Sequence, residues 1–260
     1  MLLCGVLFLC CHSAQKKTGT LAFISVDEEL ELSKSLSFEA SRQLKLLRNQ
    51  TVLNYFNQIG REIGLQSDWN GLTYTVNILN EPDLNHFSLP GGKIFIYRGI
   101  IDSSETASEV ALIIAHEIAH IAARNGVHRV AQKYGYAFAA QSLIGEIPEI
   151  ASQIISQLYS EGSILDYPAD DEYLADQKAI KYAWKANYDP SGLLQILKKI
   201  RETESTSREK TLLLNKTHPS TSSRYKKARM EVIRAPQKDS LRKNLDDFIL
   251  IKELMQKIPQ

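Results

Sequence analysis

The sequence is poor in cysteine, and this limits the chemistry open to the chain. Only three cysteines occur among its 260 residues, and all three lie within the first eleven positions, at Cys4, Cys10 and Cys11. The rest of the chain therefore has neither a disulfide framework nor a thiolate that could bind a metal. A zinc site further along the chain must use histidine and carboxylate side chains.

An excess of charge and long hydrophobic runs are absent as well. The 31 basic residues nearly balance the 30 acidic ones without a long run of one sign, so the composition indicates no nucleic-acid partner. Beyond the N-terminus no segment has the roughly 18 consecutive apolar residues of a transmembrane helix, which predicts a soluble body. A chain of this length can bury a substantial core, and we expect one domain with at most a small appendage.

The N-terminal residues 1–14, MLLCGVLFLCCHSA, form a short apolar run followed by small residues, as is typical of a secretory signal. The run is too short to span a bilayer as a mature helix. Lipid attachment at Cys10 or Cys11 and an uncleaved apolar N-terminus are alternatives to simple cleavage. We therefore expect an exported protein that is periplasmic or anchored to the envelope by a lipid.

The most informative segment of the chain is His116-Glu117-Ile118-Ala119-His120. On an α-helix His116 and His120 lie one turn apart on the same face, so both imidazoles can bind one metal ion. Glu117 follows the first histidine and can take a proton from a water molecule at the open position of the metal. The spacing predicts half of a catalytic zinc site for peptide hydrolysis. The alternative is two core histidines beside a buried, hydrogen-bonded glutamate.

The sequence around this motif predicts a long, buried helix. Residues 105–124 contain neither proline nor glycine and are rich in Ala, Leu and Ile. Asp102 is interpreted as the residue that caps the start of the helix, and Asn125-Gly126 as its stop. Alanines that recur every four residues predict that another backbone packs closely against it. They are Ala107, Ala111, Ala115 and Ala119.

The remaining patterns predict an α+β fold, mainly helical and zincin-like, with a small β-sheet or hairpin beside the motif helix. We expect a metallopeptidase domain over residues 26–234 and a C-terminal helix within 235–260 that packs on it. The predicted elements are two amphipathic helices in 27–64, a strand over 72–79, a hairpin over 86–101, helices within 129–165 with breaks at Gly135, Gly145 and Pro148, a helix from Pro168 to Lys185, a mobile loop over 202–223, and a closing helix over 240–258.

A hydrolytic zinc site needs a third protein ligand beside the two histidines. The best candidate is Glu172, because it lies four residues before Asp176 on a predicted helix and both carboxylates can face the motif helix. Glu172 would then bind zinc, and Asp176 would accept a hydrogen bond from a ligand imidazole. Acidic pairs at this spacing more often form a solvated surface, and spacing alone leaves both interpretations open.

Further motifs extend the pattern in both directions along the chain. They are Phe87 to Gly99, Glu172 with Ala175-Asp176, Tyr188-Asp189-Pro190, and Thr217-His218-Pro219-Ser220 followed by Arg224. With these motifs the sequence, from about residue 26 to residue 234, resembles the HtpX/BepA/LoiP group of zinc metallopeptidases, relatives of the CaaX prenyl proteases, and within that group the soluble periplasmic type.

The resemblance implies a function for several residues. One Zn²⁺ ion is expected on the ligand set His116, His120 and Glu172, with Glu117 as the general base. His218 is expected near the zinc, where it either stabilises the transition state or is a fourth ligand in a resting form, and Arg224 is expected close by. His86 and His128 have no such support and are interpreted as ordinary surface or packing residues.

The expected function is that of a zinc endopeptidase acting on misfolded or envelope proteins. Substrate is predicted to add as an extended strand to the edge of the hairpin, at Ile94, Phe95 and Ile96. The alternative is a non-proteolytic chaperone or assembly factor of the envelope whose zinc is closed off by His218. Glu117 favours the enzyme, because a purely structural zinc site has no use for a general base. The sequence indicates no oligomeric state.

Overall fold

The computed structural model describes residues 24–135, 148–161, 167–206, 221–242 and 246–259. Within them helices dominate and a single three-stranded sheet is present, so the predicted mainly helical α+β fold is confirmed. The helices are α1 (Val26–Gln43), α2 (Gln50–Gly64), α3 (Arg98–Ser103), α4 (Ala107–Ala122), α5 (Asn125–Tyr134), α6 (Pro148–Glu161), α7 (Ala169–Lys185), α8 (Gly192–Thr206), α9 (Thr221–Arg234) and α10 (Asp246–Gln256). No helix in this part of the chain is long and apolar enough to cross a membrane. The predicted signal, residues 1–14, lies outside the described residues.

The sheet consists of β1 (Thr75–Leu79), β2 (His86–Leu89) and β3 (Lys93–Tyr97), in the order β1-β3-β2. Strands β2 and β3 form the predicted antiparallel hairpin, and β1 pairs in parallel with the other side of β3. The hairpin is shorter than predicted, because Arg98 begins α3. The side chain of Arg98 is buried and donates to the carbonyls of Met255 and Ile258, 2.7 Å away, which joins this helix to the end of α10.

The prediction that substrate adds as a strand at Ile94, Phe95 and Ile96 is wrong. They lie on the central strand β3, which is paired with β1 on one side and β2 on the other, so its backbone offers no free edge. Their side chains are at most 2% exposed and belong to the hydrophobic core. Alternation of apolar residues predicts a strand equally well at the centre or the edge of a sheet. A strand was predicted over residues 72–79, where β1 lies, but its parallel pairing with β3 was not.

The motif helix α4 lies in the middle of the protein. Every residue from Ala107 to Ile121 is buried, and the helix packs against α7, α8, α2 and the sheet, as the alanine pattern predicted. The helix starts later than predicted: the N-cap residue is Thr106, whose backbone N–H donates to the Glu109 carboxylate at 3.0 Å. Asp102 is not the cap. It lies in α3, where its carboxylate pairs with Arg98 at 3.0 Å.

The end of α4 also differs from the prediction. The chain turns at Arg124, which adopts a left-handed conformation with φ 56°, and Asn125 and Gly126 begin α5 instead of stopping a helix. A partly buried ion pair between Arg124 Nε and Glu29 Oε2, 2.7 Å long, holds this turn. The other oxygen of Glu29 accepts a hydrogen bond from the N–H of Gly91 in the hairpin turn. One carboxylate on α1 therefore connects the end of the motif helix to the β2–β3 turn.

The helices outside the centre follow the predictions with shifted ends. The two helices expected in residues 27–64 and the helix after Pro168 are confirmed as α1, α2 and α7. Helix α5 ends at Tyr134, and the predicted break at Gly135 is its C-cap, with φ +84°. In the predicted loop over 202–223, α8 continues to Thr206 and α9 begins at Thr221. The closing helix α10 is shorter than predicted, because Arg242 forms an isolated bridge with Tyr188.

Candidate metal centre

The centre consists of three fully buried side chains from two helices: His116 and His120 on α4, and Glu172 on α7. One donor atom from each lies within 4.8 Å of the others. The two Nε2 atoms are 3.0 Å apart, and the Glu172 oxygens lie 3.2 Å from His120 Nε2 and 3.6 Å from His116 Nε2. Ligands at the usual zinc distances are separated by about 3.3 Å in a tetrahedral site. The three donors therefore fit the edges of a zinc tetrahedron.

Small residues on α7 allow Glu172 to reach the centre. The helix begins directly after Pro168, and Glu172 lies in its first turn, with its N–H bonded to the Pro168 carbonyl. Ala175 and Ala179, on the face that packs against α4, are at most 3% exposed. Because alanine lets two helix backbones approach closely, a short carboxylate side chain spans the remaining gap to the histidines.

Asp176 supports His116 from the side away from the other donors. Its Oδ1 lies 2.9 Å from His116 Nδ1, so the ring donates its Nδ1 proton and the Nε2 lone pair faces the centre. Burial lowers the pKa of His116, and the nearby Arg224 charge lowers it further. A neutral imidazole is the form that binds a metal. The structure thus brings Asp176 to the position that the sequence predicted for it.

Arg224 of α9 joins the two carboxylates of α7. Its Nε and Nη2 donate to both oxygens of Asp176, at 2.8 and 2.7 Å, and its Nη1 lies 2.9 Å from Glu172 Oε2. Burial by itself would raise the pKa of Asp176, but the charge and hydrogen bonds of Arg224 outweigh it and hold that pKa at about 2. Burial would lower the pKa of Arg224, and the charges of Asp176 and Glu172 raise it instead.

These groups leave the centre with negative charge that suits a cation. The carboxylates of Glu117, Glu172 and Asp176 and the guanidinium of Arg224, three negative groups and one positive, carry a formal charge of −2. All four side chains are at most 4% exposed, so little solvent can screen this charge. A divalent ion would balance it. The donor set, its spacing and its charge all fit zinc.

Asn125 and Tyr167 are part of the centre, although the sequence did not point to them. Asn125 Nδ2 lies 3.0 Å from His120 Nδ1. The two ends of the amide have nearly the same shape, and with Oδ1 turned to this place Asn125 accepts the Nδ1 proton and leaves Nε2 for a metal. The Tyr167 ring stacks on the His120 ring, with centroids 4.1 Å apart. Burial raises the pKa of Tyr167 well above its ordinary value, so its hydroxyl stays protonated. Neither residue has a spacing relative to the motif that could have revealed it.

His86, interpreted from the sequence as an ordinary surface or packing residue, is the third residue of the centre that was missed. It begins the edge strand β2, is 2% exposed, and its Nδ1 lies 2.5 Å from Oε1 of Glu117. The contact joins residues 31 positions apart, which only the packing of β2 on α4 brings together. His128 is different: it is half-buried on α5 with its ring 3.5 Å from the Gln132 amide, as expected of an ordinary residue. His218 lies outside the described residues.

The fold and the metal centre are those expected of the HExxH class of zinc metallopeptidases, and comparison with known proteins agrees. The sequence profile of Peptidase family M48 matches residues 47–232, and the chain belongs to this family. The family depends on zinc, and the predicted relationship to zinc metallopeptidases is confirmed.

The chain is similar to several curated relatives. It is 27% identical over 177 residues to the mitochondrial metalloendopeptidase OMA1 of Schizosaccharomyces pombe. That match covers 66% of this chain and 51% of the relative. It is 21% identical over 222 residues to the beta-barrel assembly-enhancing protease of Yersinia pestis. That match covers 82% of this chain and 45% of the relative. It is 26% identical over 221 residues to a putative beta-barrel assembly-enhancing protease of Vibrio cholerae. That match covers 77% of this chain and 44% of the relative. The chain thus spans about half the length of these relatives.

The support that Asp176 gives to His116 predicts a loss of metal affinity when its charge is removed. Asp176→Asn keeps the shape of the side chain and an acceptor for His116 Nδ1 but removes the negative charge. We expect zinc to bind about 10 to 100 times more weakly, the usual cost of losing such a partner. Competition with a chromophoric chelator measures this, and Asp170→Asn, exposed on the same helix, is the matched control. Equal affinity in the two variants would show that the Asp176 charge does not support the metal.

Proposed function

We propose that this protein is a zinc endopeptidase that cleaves misfolded or envelope proteins. The observation that carries the proposal is the convergence of His116, His120 and Glu172 in a buried cluster, with Glu117 beside them on α4, in a chain that belongs to a metallopeptidase family. Among the residues that the structure describes, three donors converge, and three protein ligands with an open fourth position are the arrangement of catalytic rather than structural zinc sites.

The side chains of the centre can have separate chemical roles in peptide hydrolysis. Zinc held by His116, His120 and Glu172 would polarise the scissile carbonyl and make a water molecule more acidic. Glu117 would take the proton of that water and pass it to the leaving amine. Asp176 and Arg224 contact the ligands, and their role is to hold His116 and Glu172 in place. The burial of the whole set strengthens each of these electrostatic interactions.

His218 is proposed to act close to the same centre. It either donates a hydrogen bond to the developing oxyanion or occupies the fourth metal position in a resting form. Support comes from Arg224, which follows His218 by six positions and binds two carboxylates of the centre.

The relatives named mitochondrial metalloendopeptidase and beta-barrel assembly-enhancing protease support protein substrates. We further propose export to the envelope, with lipid attachment at Cys10 or Cys11 as the alternative to simple cleavage of the signal.

The burial of Glu117 favours the enzyme over a zinc-closed chaperone or assembly factor. This carboxylate is fully buried next to the metal ligands. Burying an ionisable group costs free energy, and a structural metal site gains nothing from it. A general base at the same position gains reactivity from the low dielectric around it.

Removal of the metal tests the proposal. We expect the purified protein to degrade casein, to lose this activity completely with a zinc chelator such as 1,10-phenanthroline, and to regain it on addition of about one equivalent of zinc. Magnesium should restore nothing, because two imidazoles and one carboxylate form a poor site for that ion. A protein that holds one zinc per chain and cleaves no substrate would instead support the chaperone or assembly factor.

A further inference from the structure

We propose that His86 is a positioning residue for the general base, and that it holds one oxygen of Glu117 so that the other faces the metal site. The inference rests on the proposed function. It starts from one contact: His86 Nδ1 lies 2.5 Å from Glu117 Oε1, and the two side chains are 2% and 0% exposed. A general base acts in its ionised form, and an ionised carboxylate only accepts hydrogen bonds, so in that form of Glu117 Nδ1 is the donor.

The fold delivers the His86 ring from a rigid position. His86 is opposite Ile96 in the antiparallel β2–β3 pair, and its N–H donates to the side-chain oxygen of Asn85 at 2.8 Å. The backbone of Asn85 is in turn bonded to Tyr97 at 3.0 Å. The backbone of His86 is therefore held along the strand and at its start. A group on such an element is placed more accurately than one on a loop.

Packing against a metal ligand orients the ring itself. The rings of His86 and His116 meet edge to face, with centroids 5.6 Å apart and planes at 84°. With the plane of the His86 ring fixed in this way, Nδ1 keeps its direction toward Glu117. His86 does not belong to the set of three side chains whose donor atoms converge as a possible metal site, so its role is separate from metal binding.

A fixed oxygen matters because the end of a glutamate side chain is loosely held. The terminal carboxylate rotates over a broad range of angles, and nothing in the HExxH spacing determines which oxygen points at the water. The hydrogen bond from His86 to Oε1 selects one orientation and leaves Oε2 to accept the proton. Displacement of a reacting group by about 1 Å can cost roughly 100-fold in rate. His86 therefore affects the rate of the chemical step and not the binding of zinc or substrate.

Three substitutions at one position test this role. His86→Ala removes the donor, His86→Leu removes it but refills the volume, and His86→Asn keeps an N–H donor close to the position of Nδ1. We expect kcat to fall by about 10 to 100-fold in the Ala and Leu variants, with KM and zinc content unchanged. The Asn variant should stay within about threefold of the wild type. His128→Ala, outside the centre, should match the wild type.

The order of the variants separates positioning from packing. If His86 only fills space, Leu preserves kcat better than Asn, which overturns the proposal. Unchanged kcat in both the Ala and Leu variants overturns it as well, and so does a loss of zinc that accounts for the loss of activity. An inactive wild type with zinc bound would overturn the proposed function and this inference together. If the wild type is active and substitutions of His86 leave kcat unchanged, the inference alone is overturned.

Discussion

Replacement of Glu117 by glutamine is expected to abolish peptide hydrolysis while zinc stays bound. The amide has nearly the shape of the carboxylate, so the fully buried site keeps its packing, but it cannot accept a proton. The ligands His116, His120 and Glu172 are unchanged. We expect turnover to fall by several orders of magnitude, in the upper part of the roughly 10² to 10⁴-fold range that general acid–base catalysis contributes. The zinc content should stay at about one per chain.

Two measurements on the same preparation check this result. Atomic emission gives the zinc content, and a fluorogenic peptide that contains a sequence cleaved by the wild type gives turnover. Glu149→Gln, at an exposed position of α6, controls for the chemical change itself and should leave both values unaltered. Retention of wild-type turnover in Glu117→Gln would show that Glu117 is not the base, and the mechanism proposed above would fall.

Replacement of Glu172 by alanine is expected to cause loss of the metal. Glu172 is the only oxygen donor among the three converging side chains, and it is the only one that comes from α7. Without it, two imidazoles on one helix are left to hold the ion, too few for a stable zinc site. We expect the zinc content to fall from about one per chain to near zero after dialysis, and hydrolysis to be lost with it.

Thermal unfolding adds a second readout for the same variant. An ion that binds only the folded chain stabilises it, so adding zinc should raise the Tm of the wild type and not that of Glu172→Ala. Arg224 retains Asp176 as a partner in the variant, which limits the damage to folding. Asp170→Ala, exposed two residues earlier on α7, is the control. An unchanged zinc content in Glu172→Ala would mean that another residue, with His218 the foremost candidate, is the third ligand.

Patterns that repeat within one element were predictable without the structure. The spacing of His116 and His120 places both on one face of a helix whatever surrounds that helix, and the alanines of α4 predicted its burial. Glu172 and Asp176 share a face for the same reason, although their spacing could not separate a metal centre from a solvated surface. The resemblance to a family resolved that point, and the distances in the centre agree with it.

Contacts between elements depended on the tertiary structure. A strand has the same alternating pattern at the centre or the edge of a sheet, so only the pairing of β1 with β3 excluded Ile94, Phe95 and Ile96 from substrate binding. His86 meets Glu117, and Asn125 meets His120, because β2 and α5 pack against α4. Such contacts follow from the packing of distant segments, which leaves no periodic trace in the sequence. The sequence therefore revealed the residues able to do the chemistry on α4 and α7, whereas only packing determined that His86 and Asn125 contact them.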